Sequence, residues 1–339
     1  MISATRLQRA VRPAARAFSQ STSPNRILVT GGTGQIGMEL VPYMRHLFGA
    51  DSIVNSDIKA PAGGHRDGNF VYCDVQDRDS MARIVAEQGV DTIVHMASLL
   101  SAVGEANPSL ALSVNTRGIQ NVLELAKQYQ LRVFAPSTIA VFGPSTPQDE
   151  TRTRQLCVPL PLHVELLGEY YYNKFGVDFR SVRYPGVISS EALPGGGTTD
   201  YAVEIFYEAL KHGKYTCFLK PDAKLPMMYM PDCLKATLGL INAPNDCLSQ
   251  RTYNITAVSF TPEEIVASIQ KVMPSFQCDY KPDFRQQIAE TWPRSIDDSI
   301  ARRDWNWQHD FDLDSMVEDM LVKLDAKLSK PEAVVEETA

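Results

Sequence analysis

Residues 26–37, RILVTGGTGQIG, carry the strongest structural signal in this chain. Residues 27–29 form a short apolar run of the kind that becomes a buried parallel strand, and Gly31 opens a tight turn after it. In such a strand–turn–helix unit, one glycine permits a backbone angle closed to other residues, one lets the main chain approach a pyrophosphate, and one lets the helix pack on the strand. The free N–H groups of the new helix then face the phosphates. The residues predicted to bind a dinucleotide diphosphate are Gly31, Gly34, Gln35, Ile36 and Gly37.

The next two predicted strands each end in an acid. Residues 52–57, SIVNSD, end in Asp57, and residues 70–74, FVYCD, end in Asp74. A carboxylate at the first position holds the ribose hydroxyls and rejects a 2′-phosphate, so the pattern favours NAD over NADP. Asp74 is predicted to meet the adenine. A glycine-rich turn alone is often only a turn, and it is the order of the three segments that predicts an NAD site.

The fourth predicted strand, TIVH at residues 92–95, leads towards the nicotinamide side of the sheet. We expect Ala97 to line the cofactor there, whereas His95 is interpreted as a packed structural residue. Asn115 lies inside a predicted helix over residues 108–130. It can bridge that helix to the fourth strand and line the cofactor, or it can be an ordinary helix-surface asparagine.

Two hydroxyl residues follow the fifth predicted strand, residues 132–136. Because ligands bind at the carboxyl ends of parallel strands, Ser137 and Thr138 are predicted to contact a substrate alcohol or carbonyl, the alternative being a capped turn. The sixth predicted strand, residues 178–183, leads into Tyr184 and Pro185, which we expect beside the cofactor, although Tyr184 can equally pack in the core. This alternation of strands and helices predicts an α/β fold with a doubly wound, Rossmann-like parallel sheet.

The pattern changes beyond residue 189, and we expect an NAD-binding domain over residues 24–189 and a smaller, mainly substrate-binding α/β lobe over residues 190–328. The loop PGGGTTDY, residues 194–201, lacks a preceding buried strand and is therefore interpreted as a substrate loop, with Thr198 and Thr199 as candidate contacts. The apolar segment LPMMYM, residues 225–230, suits a wall of the same pocket. Residues 329–339 form a polar, acidic tail that is predicted to fray.

The net charge and hydropathy of the chain limit the kinds of partner that it is expected to bind. The 339 residues carry a formal charge of −7, which argues against nucleic acid or an anionic membrane as the main partner. No apolar run approaches the length of a membrane span. The cysteines and histidines are scattered without metal-ligand spacing, so no metal site is predicted.

The N-terminus differs from the rest of the chain. Residues 1–23 are rich in spaced arginines and serines and contain no acid, which is typical of a mitochondrial transit peptide that is removed on import. The alternative is a disordered basic tail.

Several motifs together resemble one family. They are TGGTGQIG, Asp57, HMASLLSAVGE at 95–105, PSTIAVFGP at 136–144, RYPGVIS at 183–189, PGGGTTDYAVEIF and LPMMYMPDC. Over residues 26–328 the chain resembles the short-chain L-threonine 3-dehydrogenases of the extended, epimerase-like dehydrogenase superfamily. The resemblance implies NAD-dependent oxidation of L-threonine to 2-amino-3-ketobutyrate in the mitochondrial matrix, and commonly a homodimer. It also implies that Thr138 and Ser137 orient the alcohol, while Ser101, Thr198 and Thr199 contact the amino acid.

One segment departs from that family. The superfamily places a catalytic Y-x-x-x-K before the helix that here contains ELLGEYYY, residues 165–172, and the lysine lowers the pKa of the tyrosine base. Counting back without gaps gives Cys157 and Pro161 at those two positions. Pro159 and Pro161 are expected to keep the helix from beginning before about residue 161. The chain is therefore expected to bind NAD but to oxidise threonine slowly, since losing a general base costs about 10²–10⁴-fold.

Two explanations fit the divergent residues 151–162, TRTRQLCVPLPL. A short out-of-frame stretch at a mispredicted splice junction produces sharp divergence between matching flanks. Otherwise the protein is a catalytically inactive NAD-binding member of the family. A sugar-nucleotide epimerase is a weaker alternative, because it needs the same tyrosine and lysine and does not account for PGGGTTDY.

Overall fold

The computed structural model describes residues 26–61, 68–99, 107–143, 146–149 and 159–329, with no side-chain description for 159–161. The predicted transit peptide, Ser101, Cys157 and the tail from residue 330 lie outside the described residues.

Thirteen strands are formed within the described residues. They are β1 Ile27–Thr30, β2 Ile53–Asp57, β3 Phe70–Tyr72, β4 Thr92–His95, β5 Arg132–Phe134, β6 Ser137–Thr138, β7 Asp178–Tyr184, β8 Gly186–Ile188, β9 Lys214–Cys217, β10 Leu225–Tyr229, β11 Thr252–Asn254, β12 Val258–Phe260 and β13 Gln277–Tyr280.

Ten α-helices alternate with these strands in the described part of the chain. They are α1 Gly37–Phe48, α2 Arg78–Gln88, α3 Pro108–Tyr129, α4 Pro159–Phe175, α5 Tyr201–His212, α6 Met230–Asn242, α7 Pro262–Val272, α8 Phe284–Ala289, α9 Ser299–Trp305 and α10 Leu313–Leu328. Side chains cap several of them. Thr261, for example, forms a capping box with Glu264 at the start of α7.

The main sheet has the order β11-β7-β5-β4-β1-β2-β3, with β6 paired to β7, and every pairing is parallel. Alternate residues of β1 face opposite layers. Ile27 and Val29 pack towards α1 and α6, while Leu28 packs towards α2 and α3. Helices on both faces of a parallel sheet confirm the predicted doubly wound, Rossmann-like fold.

The second lobe has its own core. A three-stranded sheet, β12-β10-β8, and the parallel pair β13-β9 pack with α5, α7 and α10. The division at residue 190 is not a clean cut along the chain. β8 lies before that residue yet joins the lobe, and β11 lies far beyond it yet forms an edge of the main sheet.

The beginning of α4 differs from the prediction. The helix starts at Pro159 rather than near Pro161, although both prolines remain in its first turn. Proline is tolerated there because the N–H groups of a first turn have no acceptor within the helix. Among the described residues, no helix is both long enough and apolar enough to cross a membrane.

Candidate active site

The glycine turn after β1 is closely packed on its inner side. Gly31 has φ +70°, and a Cβ built on it would lie 2.5 Å from the backbone nitrogen of Ala97. A Cβ on Gly37 would lie 2.4 Å from the Gly31 carbonyl oxygen, whereas the nearest atom to a Cβ on Gly34 is that same oxygen at 3.2 Å. Gly31 and Gly37 therefore let the turn pack against the segment after β4 and against α1, and Gly34 has the most room.

The start of α1 fits a bound diphosphate. Its N-cap residue is Ile36, which makes no side-chain capping hydrogen bond. The N–H groups of a first helical turn have no acceptor within the helix, and they carry the positive end of the helix dipole. The N–H groups of Met38 and Glu39 already donate to the carbonyls of Gly34 and Ile36. A dinucleotide diphosphate would therefore meet the amides of Gln35, Ile36 and Gly37 at the positive end of the helix dipole.

The two predicted adenosine contacts lie side by side. Asp57 ends β2, and its carboxylate accepts hydrogen bonds from the N–H of Thr33 at 3.1 Å and of Lys59 at 3.3 Å. The Thr33 bond holds the acid against the glycine turn. Cys73 donates its N–H to the Asp57 carbonyl at 3.0 Å, which brings the exposed Asp74 next to it. This arrangement suits a ribose at Asp57 and a base beside Asp74.

Asn115 bridges α3 to the segment that follows β4. Its amide donates to the Leu99 carbonyl at 3.0 Å, and its side-chain oxygen accepts from the Leu99 N–H at 2.8 Å. This paired contact fixes the chain just beyond Ala97. Of the two alternatives the structure shows a bridge, although it reaches the segment after β4 rather than the strand itself. Contact of Asn115 and Ala97 with the cofactor stays a prediction.

His95 is a buried structural residue rather than a base. Its Nδ1 lies 2.8 Å from the Thr30 hydroxyl, and its ring is only 6% exposed. Burial lowers its pKa from the ordinary 6.5 to about 4, so the ring is neutral near pH 7.

This buried histidine should make the fold sensitive to acid. Because the pKa is lower in the folded chain than in the unfolded chain, its stabilising contribution is complete above about pH 6.5 and is lost as the pH falls towards 4. Between pH 7 and pH 5 we expect the free energy of unfolding to fall by about 2 kcal/mol from this group. Urea unfolding at both values would measure the loss. His95→Gln should remove that share of the pH dependence, and an equal loss in the variant would exclude His95 as its source.

Ser137 and Thr138 lie at the carboxyl edge of the sheet but face different environments. The Ser137 hydroxyl is buried and donates to Glu165 Oε1 at 2.5 Å. Thr138 is half-buried, and its oxygen accepts from the Ala140 N–H at 3.3 Å, which leaves its own proton to donate. Thr138 is thus the better placed of the two to meet a substrate oxygen.

The predicted cofactor role of Tyr184 needs correction. Its hydroxyl is hydrogen-bonded to Thr237 of α6, its side chain is only 5% exposed, and burial raises its pKa well above the ordinary range. The side chain therefore belongs to the core. Only its main chain, which pairs with Thr138, and the buried Pro185 that follows it remain to line a cofactor.

The glycine-rich loop before α5 is shaped by an acid and lies against the end of β7. Asp200 Oδ2 accepts from the N–H groups of Gly195 at 2.7 Å and Gly197 at 2.8 Å. A Cβ on Gly186 would lie 2.7 Å from Thr199 Cγ2 and 2.3 Å from Met227 Sδ. The loop and β10 therefore both reach the segment after Tyr184. Thr198 is buried and Thr199 half-buried, and substrate contact stays a prediction for both.

Helix α4 indicates where the missing catalytic lysine would lie. Glu165 on α4 contacts Ser137, and residues four apart in a helix share a face. Position 161 therefore lies one turn before Glu165 on the same face, at the end of α4 where a catalytic lysine is expected. The sequence places proline there, and Cys157 lies outside the described residues.

Other ionisable residues of α4 are poorly placed to replace the base. Tyr170 and Lys174 have the spacing of a Y-x-x-x-K motif, but Tyr170 is 53% exposed and lies about 7.5 Å beyond Glu165 along the helix axis. Tyr171 donates its hydroxyl to Glu124 of α3. His163 precedes Glu165 by two positions and so points about 200° away from it around the helix.

The site residue that the sequence analysis missed is Glu165. It is fully buried and forms a bidentate pair with Arg183, whose Nη2 lies 2.7 Å and Nε 2.8 Å from its carboxylate oxygens. The signal available was an acid within an otherwise amphipathic helix, which is usually a surface residue. Among the described residues, no group of three or more potential ligands is arranged to hold a metal ion.

Comparison with known proteins agrees with this geometry. A family model described as the NAD dependent epimerase/dehydratase family matches residues 27–256. The chain is 49% identical over 314 residues to "L-threonine 3-dehydrogenase, mitochondrial" of Bos taurus, which covers 90% of this chain and 83% of that protein.

Two solved structures extend the likeness to the fold. The crystal structure of L-threonine dehydrogenase from Phytophthora infestans is 91% identical, with a TM-score of 0.86, and the match covers 89% of this chain and 99% of that one. The holo form of the GalE-like L-threonine dehydrogenase from Cupriavidus necator is 46% identical, with a TM-score of 0.84 and coverage of 88% and 99%. The chain therefore belongs to the NAD dependent epimerase/dehydratase family and, within it, to the L-threonine 3-dehydrogenases.

Proposed function

We propose that this chain oxidises the side-chain alcohol of L-threonine with NAD, giving 2-amino-3-ketobutyrate, NADH and a proton. The observation that carries the proposal is the 91% identity to a threonine dehydrogenase over 89% of the chain. The glycine turn after β1, Asp57 at the end of β2 and Thr138 beyond β5 all lie at the carboxyl edge of the sheet, which supports roles in binding the diphosphate, the ribose and the alcohol.

The cofactor-binding residues have separate roles in this proposal. The glycine turn and the first turn of α1 hold the diphosphate, and Asp57 accepts from the ribose hydroxyls and repels a 2′-phosphate. Bound NAD would supply the acceptor for the hydride that leaves the carbon bearing the alcohol. Ala97 and the main chain at Tyr184 and Pro185 line this end.

The protein's part in the chemistry is to orient the alcohol and handle its proton. Thr138 donates a hydrogen bond to the reacting oxygen, and Ser101, Thr198 and Thr199 contact the amino and carboxylate groups. The proton of the alcohol then needs a base. With cysteine and proline where the family has tyrosine and lysine, water must take that proton, and turnover is expected to be slow.

The test is direct. The purified full chain is mixed with L-threonine and NAD, and NADH formation is followed by absorbance, with NADP and UDP-glucose as comparisons. NADH that depends on L-threonine and exceeds the NADPH formed supports the proposal. NAD binding without any turnover favours the inactive alternative, and conversion of UDP-glucose favours an epimerase.

We propose a homodimer as the functional assembly, with a second copy of the chain packed on the outer surfaces of α3 and α4. These two packed helices present several exposed apolar side chains, namely Leu112, Tyr129, Leu166, Tyr170 and Phe175. An apolar surface of this kind on neighbouring helices is typical of a self-association site.

Charged substitutions should break that dimer. Leu166→Glu together with Tyr170→Glu is expected to give a monomer by light scattering, because two carboxylates would be desolvated in the interface. Val322→Glu, a substitution of a 69% exposed residue on α10, is the control and should leave the mass unchanged. A monomeric unmodified chain at micromolar concentration would exclude the dimer.

We propose the mitochondrial matrix as the location, on the basis of residues 1–23 and of relatives whose names include the word mitochondrial. A fluorescent fusion to the full chain should reach mitochondria, and removal of residues 1–23 should leave it in the cytosol.

A further inference from the structure

A buried polar network lies beneath the carboxyl edge of the sheet. Glu165 of α4 accepts from the Ser137 hydroxyl and from Arg183, and Arg183 Nη1 donates to Asn254 Oδ1 at 2.8 Å. All four side chains are less than 9% exposed. The network therefore joins α4 to three strands, β6, β7 and β11, through charge-assisted hydrogen bonds in a site shielded from water.

Strand β6 depends on this network for its position. It consists of two residues and pairs only with β7 among the described strands, so few backbone hydrogen bonds hold it. Ser137 and Thr138 point to opposite sides of the strand, as successive residues do. The Ser137 hydroxyl ties the buried side of β6 to Glu165. This hydrogen bond therefore helps to fix the position of the Thr138 hydroxyl on the opposite side of the strand.

The loop after β6 is tied to the same structure. Phe142 lies under the Arg183 guanidinium, 5.5 Å from its carbon to the ring centroid, and packs with Leu162 at the start of α4. Displacement of Arg183 or Glu165 would therefore move the segment on both sides of Thr138.

We infer that Ser137 and Glu165 are positioning residues for the oxidation, acting through β6 to fix the Thr138 hydroxyl, and that Ser137 does not itself contact the substrate. The inference rests on the proposed function. A displacement of about 1 Å at a reacting centre costs about 10²-fold in rate, whereas substrate affinity depends on many other contacts. Loss of the anchor should therefore lower kcat much more than it raises KM.

The kinetic test compares matched serine variants. Ser137→Ala should lower kcat by about 10- to 100-fold and change KM for threonine and Kd for NAD by less than about threefold. Ser268→Ala is the control, because Ser268 is also buried and donates to a carboxylate, Asp314, at 2.6 Å within the other lobe. It should leave kcat unchanged. A kcat for Ser137→Ala within twofold of the unmodified chain would overturn the inference.

A double-mutant cycle separates positioning from direct contact. If Ser137 acts through Glu165, then Ser137→Ala and Glu165→Gln together should be no slower than the slower single variant. Additive losses would mean that the serine has a separate role and would overturn the inference. If Glu165→Gln fails to fold because Arg183 is left unpaired, the Ser137→Ala comparison decides.

A measurement without turnover distinguishes this inference from the proposed function. Hydrogen exchange at the amides of residues 138–142 should accelerate in Ser137→Ala but not in Ser268→Ala. Unchanged protection would overturn the positioning role even in a chain that fails to oxidise threonine. Conversely, if exchange is faster in Ser137→Ala but the unmodified chain does not oxidise threonine, the proposed function is rejected and the positioning role of Ser137 in the fold is not.

Discussion

Replacing CVPLP at residues 157–161 by YGVSK is expected to raise kcat for threonine oxidation by about 10²–10⁴-fold. The variant carries Cys157→Tyr, Val158→Gly, Pro159→Val, Leu160→Ser and Pro161→Lys. NADH formation with saturating L-threonine and NAD measures the gain, and the Kd for NAD should change little, because the glycine turn and Asp57 are untouched.

The physical reason is the geometry of α4. Positions 157, 161 and 165 recur at four-residue spacing, and Glu165 already contacts Ser137 at the sheet edge. If α4 is extended by one turn, a lysine at 161 and a tyrosine at 157 lie on that face. The ammonium group lowers the pKa of the phenol, which can then take the alcohol proton while hydride leaves the same carbon. Removing both prolines restores the N–H donors that such an extension needs.

The control variant has side chains of similar size but lacks the phenol and the ammonium group. It has the same three central substitutions with Cys157→Phe and Pro161→Met, and it should remain as slow as the unmodified chain. If the control is as fast as the tyrosine–lysine variant, the gain comes from helix extension alone and the assignment of the base is wrong. Sequencing the transcript across codons 144–168 shows independently whether CVPLP is translated.

The fold could be predicted from local sequence because its strongest determinants are local. The buried strand at residues 27–29, the positive φ at Gly31 and the acid that ends β2 each follow from a few neighbouring residues, and each lies where the sequence predicts. The boundary of the second lobe is harder to predict from the sequence. β11 returns to the main sheet after about 70 residues of intervening chain, and nothing local to Thr252–Asn254 indicates which sheet it will join.

Residues that interact through long-range pairing could not be assigned in advance. DFRSVRY at residues 178–184 has four polar residues among seven, a composition typical of a half-exposed strand, yet all seven residues are buried. Arg180 donates to Asp178 and to carbonyl groups at the end of α6, and Arg183 pairs with Glu165. Asp178 is two residues from Arg180, but Glu165 and the α6 carbonyls are distant in sequence, so the local sequence gives no sign that the two arginines will be buried. For the same reason, the packing of Tyr184 against Thr237 was visible only in the structure.

Gly31→Ala should cause the largest loss of both stability and cofactor binding among single substitutions in the glycine turn. An alanine at φ +70° is strained by about 1–2 kcal/mol, and its Cβ would also lie 2.5 Å from the Ala97 nitrogen and 2.6 Å from its Cα. Both contacts are with backbone, so a rotamer change cannot relieve them. Together with the cost of overpacking, we expect the free energy of unfolding to fall by about 2–5 kcal/mol.

A second glycine separates the two causes. Gly89 follows α2 with φ +63°, and a Cβ there would have no atom within 4 Å among the described residues, so Gly89→Ala adds the backbone strain without the clash. Denaturant unfolding should show a loss of only about 1–2 kcal/mol in this control, and titration should show unchanged NAD affinity. In Gly31→Ala the turn must move away from Ala97, which displaces the first turn of α1 from the diphosphate and should raise the Kd for NAD more than about tenfold. Equal losses in the two variants would mean that positive φ alone requires glycine at this turn, and that the close approach to Ala97 contributes nothing to binding.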